Sequence, residues 1–140
     1  MMISTKGRYA LRLMIDIATQ GDGACVPLRE IAERQGISLK YLEQLATCLV
    51  KADLLKSVRG ARGGYVLTIP SERVSAGDIL RAAEGTCAPV ACLDDEYGIC
   101  PRRETCTTIS FWEGLDEVIE RYVDGVMLAE FVEKEAALSL

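Results

Sequence analysis

A short helix, a glycine turn, a second helix and a glycine-rich hairpin follow one another between residues 28 and 69, and this order constrains the fold most. Apolar residues at positions 28, 31 and 32 predict a helix over 28–35, which Gly36 ends. Ser38 is a favourable N-cap for the next helix, which we expect to reach about Ala52. Two helices joined by a short glycine-containing turn are typical of a helix-turn-helix.

The second of these helices has two different faces. One face is apolar and suited to packing inward: Leu42, Leu45 and Leu49, joined by Tyr41 and Cys48. The other carries side chains that can hydrogen-bond to DNA: Lys40, Gln44, Thr47 and Lys51. An ordinary amphipathic surface helix would show the same division, so this helix alone leaves both interpretations open.

The hairpin favours one of these interpretations. The ranges 54–58 and 65–69 predict two strands, and the tip between them holds three glycines and two arginines. A hairpin directly after a helix-turn-helix is typical of the wing of a winged-helix protein. Glycines let the backbone approach a ligand closely, and arginine side chains fit the narrow, electronegative minor groove of DNA. The order of elements therefore favours DNA binding.

Further helices are expected before and after this segment. Residues 5–19 form a broad apolar face, and the polar side chains expected outside it are Lys6, Arg8, Arg12 and Asp16. Ser75, with Asp78 in the capping-box position, begins a helix that ends at Gly85. A long helix is expected over about 108–124 and a short one over 127–137. The long helix has an apolar stripe wider than a small winged helix needs, so we expect it to pair with a second subunit, the alternative being packing on its own chain.

Charge and composition limit the function classes. The chain carries a net charge of −5, which divides into +4 over residues 1–73 and −9 over 74–140, so the two halves are expected to have different roles. The absence of histidine excludes Ser-His-Asp and Cys-His catalysis and histidine-ligated metal sites. No enzyme activity is expected. There is no apolar run of the ~20 residues that cross a bilayer, and the first six residues show no signal-peptide pattern, which predicts a cytoplasmic protein without a membrane partner.

The six cysteines are unevenly placed. Cys25 and Cys48 are isolated and are expected to be small buried apolar residues. The other four lie in an expected loop over 86–106: Cys87, Cys92, Cys100 and Cys106. In a reducing cytoplasm such a cluster favours metal ligands or redox-active thiols. These residues alone leave zinc, an iron–sulfur cluster and a bare thiol sensor open; an electron carrier would leave the helix-turn-helix and wing unexplained.

Several motifs in this order resemble the IscR-like iron–sulfur cluster regulators, within the Rrf-type group of bacterial winged-helix transcription regulators. The motifs span nearly the whole chain: Ser4–Ala10, Ile31–Ser38, Tyr41–Leu45, Val58–Gly60 and Gly63–Tyr65, with Gly77–Ile79 and the cysteine loop. The resemblance implies a mainly α fold with a small β-hairpin wing, as a winged helix-turn-helix with a long dimerisation helix. It divides the chain into a DNA-binding domain (1–73), a connecting helix with a cluster-binding loop (74–106), and a dimerisation helix with a C-terminal helix (107–140).

The resemblance also implies a cofactor. A 2Fe–2S cluster, or in some relatives a 4Fe–4S cluster, would be held by Cys92, Cys100 and Cys106. Seven residues separate the first two cysteines here, whereas IscR-like loops typically have five. The family's histidine, three residues after the last cysteine, is replaced by Ile109, so the fourth ligand differs. A small external thiol is one candidate, and the protein candidates are Cys87, Glu43, Asp94, Asp95 and Glu96.

For DNA, the resemblance implies a homodimer that binds a pseudo-palindromic operator in double-stranded DNA. The residues implied in the major groove are Ser38, Lys40, Tyr41 and Gln44. Arg59, Gly60 and Arg62 would enter the minor groove, and Lys6 would contact phosphate. The dimer interface would include Trp112, Leu115, Ile119 and Tyr122. Glu43 is the expected specificity switch, so that cluster occupancy changes which operators are bound; the alternative is a cluster-free, thiol- or zinc-dependent repressor of the same fold.

Overall fold

The computed structural model describes residues 3–139, which form six α-helices and one two-stranded antiparallel sheet. The helices are α1 (Thr5–Thr19), α2 (Leu28–Gln35), α3 (Leu39–Lys51), α4 (Ala76–Glu84), α5 (Ile109–Gly125) and α6 (Leu128–Leu138), and the strands are β1 (Leu55–Val58) and β2 (Gly64–Leu67). The predicted mainly α fold with a small hairpin is confirmed. Within the described range, no helix has both the length and the apolarity that a bilayer crossing requires.

The turn between α2 and α3 forms at the residues that the sequence indicates. Gly36 ends α2 with a left-handed backbone (φ 66°), a conformation that glycine adopts without steric cost. Ile37 is buried beneath the turn. The Ser38 hydroxyl accepts a hydrogen bond from the backbone N–H of Tyr41 at 3.2 Å and so caps the first turn of α3.

One apolar core joins α1 to the helices on either side of it. Leu13, Met14 and Ile17 of α1 are completely buried, and α4 and α6 both pack against α1. Ile79 of α4 and Leu128 of α6 belong to the same buried cluster. We call α1–α4, the hairpin and α6 the head. The three-segment division of the chain stays a prediction; Met1, Met2 and Leu140, which its outer segments include, lie outside the described residues.

The hairpin pairs Leu55 with Leu67 and Val58 with Gly64. β1 begins one residue later than predicted, because Leu54 is still bonded back to α3: its N–H donates to the carbonyl of Leu49 at 3.0 Å. β2 begins one residue earlier and ends two residues earlier than predicted. The tip, residues 59–63, stands free of the head core. The hairpin itself is as predicted in position and direction.

The predicted solvent-facing position of Asp16 is wrong. Its side chain is buried between α1 and α2, where Arg34 Nη2 donates to Oδ1 at 2.7 Å and Gln35 Nε2 donates to Oδ2 at 2.9 Å. A buried carboxylate is stable only when it is paired and hydrogen-bonded, and α2 supplies both partners. Asp16 therefore fixes α1 to the helix-turn-helix instead of facing water.

Candidate nucleic-acid interface and cysteine loop

The outer face of α3 is accessible along its first two turns. Leu42, Leu45 and Leu49 are buried, as the apolar spacing predicts. The polar side chains on the opposite face are all exposed: Lys40, Glu43, Gln44, Thr47 and Lys51. Helix N-termini carry unpaired backbone N–H groups and partial positive charge, which attract phosphate. The start of α3 thus combines side chains that can form hydrogen bonds with a helix end whose partial positive charge favours phosphate.

Aromatic contacts hold the start of α1 beside the start of α3. The rings of Tyr9 and Tyr41 meet edge to face with their centroids 5.8 Å apart, and Tyr41 Oη lies 3.3 Å from Thr5 Oγ1. The guanidinium of Arg12 lies 5.2 Å from the centre of the Tyr9 ring. Lys6, exposed on the first turn of α1, is therefore carried on the same side of the head as the first turn of α3.

A carboxylate of α4 caps the first turn of α1, a contact that the sequence analysis missed. Glu84 Oε1 accepts hydrogen bonds from Ser4 N at 2.8 Å, Ser4 Oγ at 2.6 Å and Gly7 N at 3.0 Å. Burial alone would raise the pKa of Glu84, but these hydrogen bonds hold its pKa below the ordinary value. An ionised carboxylate at a helix N-terminus stabilises the helix. No local pattern signals this cap, because its partners are about eighty residues apart.

The wing tip presents two arginines on a turn that requires glycine. Arg59 and Arg62 are exposed, and Gly60 has φ 112°, a conformation that side chains rarely adopt. A Cβ on Gly63 would lie 2.4 Å from the carbonyl oxygen of Val58. The glycines thus permit a tight tip with its two guanidinium groups directed away from the core.

A third segment pairs with the wing and fixes it to the head. The N–H of Val26 donates to the Tyr65 carbonyl at 3.0 Å, and Tyr65 N–H donates back at 2.9 Å. The Cys25 thiol donates to the Arg62 carbonyl at 3.5 Å. Cys25 is thus half-buried beside the wing, and Cys48 is half-buried as well, so both are less buried than the prediction of small buried apolar residues implies. A β-branched residue before Pro27 is the signal that could have indicated this extended segment.

The cysteine loop, residues 86–108, joins α4 to α5 through three short 3₁₀ turns. Cys92 is exposed, while Cys100 and Cys106 are half-buried. Cys87 lies directly after α4 and is almost completely buried. Within residues 3–139, no three cysteine or carboxylate side chains are grouped closely enough to hold a metal ion. The structure therefore puts the predicted ligands on one loop without bringing them together.

Two of these thiols differ in acidity. Burial raises the pKa of Cys87, which favours the neutral thiol. A hydrogen bond with Thr108 lowers the pKa of Cys106, whose Sγ lies 3.3 Å from Thr108 Oγ1. The thiolate is the metal-binding form, so Cys106 is the more readily available metal ligand of the two. Cys87 would first have to become exposed.

The helix α5 leaves the apolar stripe open. None of its seventeen residues is buried. Trp112, Leu115 and Ile119 are half-buried, and Tyr122 is 72% exposed. Val118, Tyr122 and Val126 also line an open surface cavity of ≈ 450 Å³. A run of exposed apolar side chains on this scale is typical of an interaction surface.

Comparison with known proteins identifies similar transcription regulators. The family model for Rrf2, described as an iron-dependent transcriptional regulator, matches residues 3–134. The HTH-type transcriptional regulator IscR of Sodalis glossinidius is 39% identical over 140 residues, which cover 100% of this chain and 84% of that protein. The relatives are regulators of transcription and not enzymes.

Solved structures share the whole fold. The IscR of T. potens is 36% identical with a TM-score of 0.73, and the match covers 100% of this chain and 92% of that one. CymR, the global cysteine regulator of B. subtilis, is also 36% identical, with a TM-score of 0.72 and coverage of 96% and 98%. The chain is thus similar both to an IscR and to a global cysteine regulator.

Proposed function

The chain belongs to the Rrf2 family of DNA-binding transcription regulators, and from this premise we propose that an iron–sulfur cluster held by Cys92, Cys100 and Cys106 controls its operator binding. The resemblance to IscR-like regulators is thereby confirmed at the level of the family. The observation that carries the proposal is the position of these three cysteines. They share one irregular loop. This loop joins α4, which packs in the head core, to α5, whose apolar face is open.

The proposal assigns major-groove contacts to α3. Ser38, Lys40, Tyr41 and Gln44 lie in its cap and first two turns, and the exposure of Lys40 and Gln44 supports this role. Lysine favours guanine edges or phosphate, and glutamine can pair with adenine. Lys6 would contact phosphate beside them.

The wing would enter the adjacent minor groove. Arg59 and Arg62 are exposed at the tip, and Gly60 allows the backbone to turn close to the duplex. Arginine is favoured in narrow minor grooves because the negative potential is concentrated there. The pairing of Val26 with Tyr65 supports the role, since it prevents the wing from folding away from the head.

The donor set fits an iron–sulfur cluster by its chemistry. Cysteine thiolates are the usual cluster ligands, and the three thiols lie on a loop that lacks a buried residue between positions 91 and 108. Cys92 lines an open cavity of ≈ 460 Å³ together with Asp94 and Asp95. When bound, a 2Fe–2S or 4Fe–4S cluster would supply a redox- and iron-dependent link between the three thiolates. Cys87 and Glu43 remain the candidates for the fourth ligand; Cys87 is covered, whereas the Glu43 carboxylate is exposed on α3.

A homodimer through α5 would carry two heads to one pseudo-palindromic operator. The support is the absence of any buried residue in α5 and the stripe that includes Trp112, Leu115, Ile119 and Tyr122. In a dimer with a two-fold axis, the apolar stripe of one copy would pack against the identical stripe of the other.

Glu43 is the proposed specificity switch. Its carboxylate is exposed on the face of α3 that would meet DNA, and there it repels phosphate and can accept only from a donor such as cytosine N4. Ordering of the cysteine loop would move Glu43 out of unfavourable contact and change which operators are bound. In Glu43→Ala protein without a cluster, operator preference should move towards that of the loaded wild type, and an unchanged preference would exclude the switch.

The decisive experiment is purification without air, followed by iron and sulfide analysis and absorption and EPR spectra. Operator affinity is then measured on the loaded and the cluster-free protein. We expect iron and sulfide in the wild type, their loss in Cys92→Ala, Cys100→Ala and Cys106→Ala, and a change in operator affinity on loading. Cys25→Ala is the matched control for iron and sulfide content, because its thiol lies outside the loop. Colourless protein with unchanged operator affinity after reconstitution would exclude the proposal.

The similarity to a cysteine regulator supports a second candidate, a cluster-free repressor of the same fold that responds through its thiols or through zinc. It would bind the same class of operator, but its preparations would lack visible absorption. Zinc analysis and thiol titration of the colourless protein would separate its two forms.

A further inference from the structure

Arg81 of α4 bonds to two carboxylates of α5. Its Nη2 donates to Glu120 Oε2 at 2.5 Å and to Asp124 Oδ1 at 2.6 Å. The two acceptors lie one helical turn apart, and the single nitrogen Nη2 bridges them. Burial would lower the pKa of Arg81, but the hydrogen bonds that it donates to both carboxylates raise its pKa above the ordinary value, and the guanidinium stays charged.

Close backbone contacts make the end of α5 a pivot against the head. A Cβ on Gly77 would lie 2.2 Å from Asp124 Oδ1, so glycine at this position leaves room for the Asp124 carboxylate beside α4. The N–H of Ala76 donates to the Val126 carbonyl at 2.8 Å, and Leu128 N–H donates to the Val74 carbonyl at 2.7 Å. These contacts fix the position of the C-terminal end of α5.

The direction of α5 away from that pivot has much weaker support. The helix has no fully buried residue, so apolar packing constrains its angle less than it constrains the helices of the head. One carboxylate of α5 has no positive partner. Asp116 lies one turn before Glu120, and its buried Oδ1 accepts no hydrogen bond within residues 3–139. Without Arg81, Asp116, Glu120 and Asp124 would repel one another along the face turned to the head.

A small change of this angle is large on the scale of DNA. The seventeen residues of α5 span ~25 Å at 1.5 Å per residue. A tilt of ~10° about the pivot moves the far end by about 4 Å, and successive base pairs are separated by about 3.4 Å. If α5 carries the partner subunit, such a tilt changes the distance between the two heads by about one base-pair step.

We propose that Arg81 is a positioning residue that sets the angle between the head and α5, and thereby the spacing between operator half-sites that the dimer accepts. This inference rests on the proposed function, since it requires a dimer through α5 and two half-sites. Arg81 would then contribute to operator choice although it lies outside both the DNA-facing surface and the cysteine loop.

The test uses the full chain and three variants: Arg81→Gln, Arg81→Lys and the control Arg73→Gln. The control removes one positive charge from an exposed position of the head that forms no ion pair within the described residues. Duplexes selected from random sequence supply the half-site, and full operators are then made with the half-site spacing changed by one or two base pairs. Affinity for each duplex and sedimentation velocity are measured for every protein.

We expect Arg81→Gln to stay dimeric and to bind a single half-site as tightly as wild type. Its affinity for the optimal full operator should fall about tenfold, because two linked heads gain avidity only when the geometry fits both sites. Its preference for that spacing over the neighbouring ones should largely disappear. Arg81→Lys should recover part of the preference, since it keeps the charge without the planar fork. Arg73→Gln should behave as wild type.

Three results would overturn the inference. Unchanged spacing preference in Arg81→Gln overturns it alone, and so does an equal loss of half-site and full-operator affinity, which would indicate a merely structural role. A monomeric wild type, or one without spacing preference, overturns it together with the proposed dimeric binding. If Arg81→Gln does not fold, the double variant Glu120→Gln/Asp124→Asn removes the same contact from α5 and must show the same loss of preference.

Discussion

The head and α5 both present apolar helix faces but are stabilised in different ways. In the head, Leu13, Met14 and Ile17 of α1 are completely buried, and every neighbouring helix shares their core. In α5, no residue is buried, and Phe111 and Tyr122 are 64% and 72% exposed. The head core is therefore closed by its own packing, whereas the apolar face of α5 is open to a partner.

The cysteine loop belongs with α5 in this respect. Its three 3₁₀ turns are held by hydrogen bonds between residues close in sequence, and its exposed contact with α5 is the ion pair of Arg103 with Glu113 at 2.7 Å. Segments with few buried contacts open most readily and respond most to ligands. The part of the chain that is proposed to respond to the cluster is therefore the part that packing constrains least.

The largest expected effect tests the head core. Leu42→Ala removes a fully buried side chain from the inner face of α3 and should lower the free energy of unfolding by about 2–5 kcal/mol, because a cavity remains. Leu39→Ala, at an exposed position of the same helix, should change it by less than about 0.5 kcal/mol. Urea unfolding followed by circular dichroism measures both. Equal losses would mean that the head core does not provide the stability assigned to it.

The next effect tests the open face of α5. Tyr122→Ala should weaken dimerisation by about 2 kcal/mol, or roughly 30-fold in the dissociation constant, since buried tyrosines are frequent hot spots of interfaces. Leu138→Ala, at an even more exposed apolar position on α6, should leave dimerisation unchanged. Sedimentation velocity over a range of protein concentrations gives the constants. A Tyr122→Ala protein that dimerises like wild type would place the interface elsewhere.

Local patterns predicted most of the head. The bounds of α1, α2 and α3 follow from apolar spacing and from the signals at Gly36 and Ser38, which act within a few residues. The predicted strand bounds were wrong by one or two residues; for β1 the reason is the bond from Leu54 to Leu49, which delays its start by one residue. The exposed polar face of α3 and the arginines of the wing were also found, since both depend on periodicity or on a turn.

Contacts between distant residues were missed for a physical reason. The burial of Asp16 depends on Arg34 and Gln35, and the cap of α1 depends on Glu84, so neither has a signature in its own segment. The same is true of Arg81, whose partners lie about forty residues away. The positions of the loop cysteines could be read from the sequence, but their separation in the structure could not, because no periodic pattern governs an irregular loop.

A smaller effect tests whether the wing acts apart from the stability of the head. Arg59→Ala should leave unfolding unchanged and weaken operator binding about tenfold, with the salt dependence reduced by about one counterion, because one arginine–DNA contact is lost. Arg73→Ala, at an exposed position outside the wing, is the control. Binding titrations at several salt concentrations measure both quantities. An unchanged salt slope in Arg59→Ala would exclude the wing from the DNA contact.

The smallest effect is the pH dependence of the cap at α1. Because the pKa of Glu84 is lowered in the folded protein, its ionised form contributes stability above the ordinary carboxylate pKa of about 4.3, and this contribution is lost as the pH falls through the lowered folded value. Glu84→Gln keeps an acceptor but does not titrate. The difference in melting temperature between wild type and Glu84→Gln should therefore be constant above about pH 5 and should shrink below it.

Glu133→Gln, which removes an exposed carboxylate from α6, controls for the loss of one negative charge. Thermal unfolding of the three proteins between pH 7 and about pH 3 covers the ordinary carboxylate range. A wild-type advantage that persists undiminished at the acid end would mean that the charge of Glu84 contributes nothing. The start of α1 would then be held by hydrogen bonds that do not require the charge of Glu84.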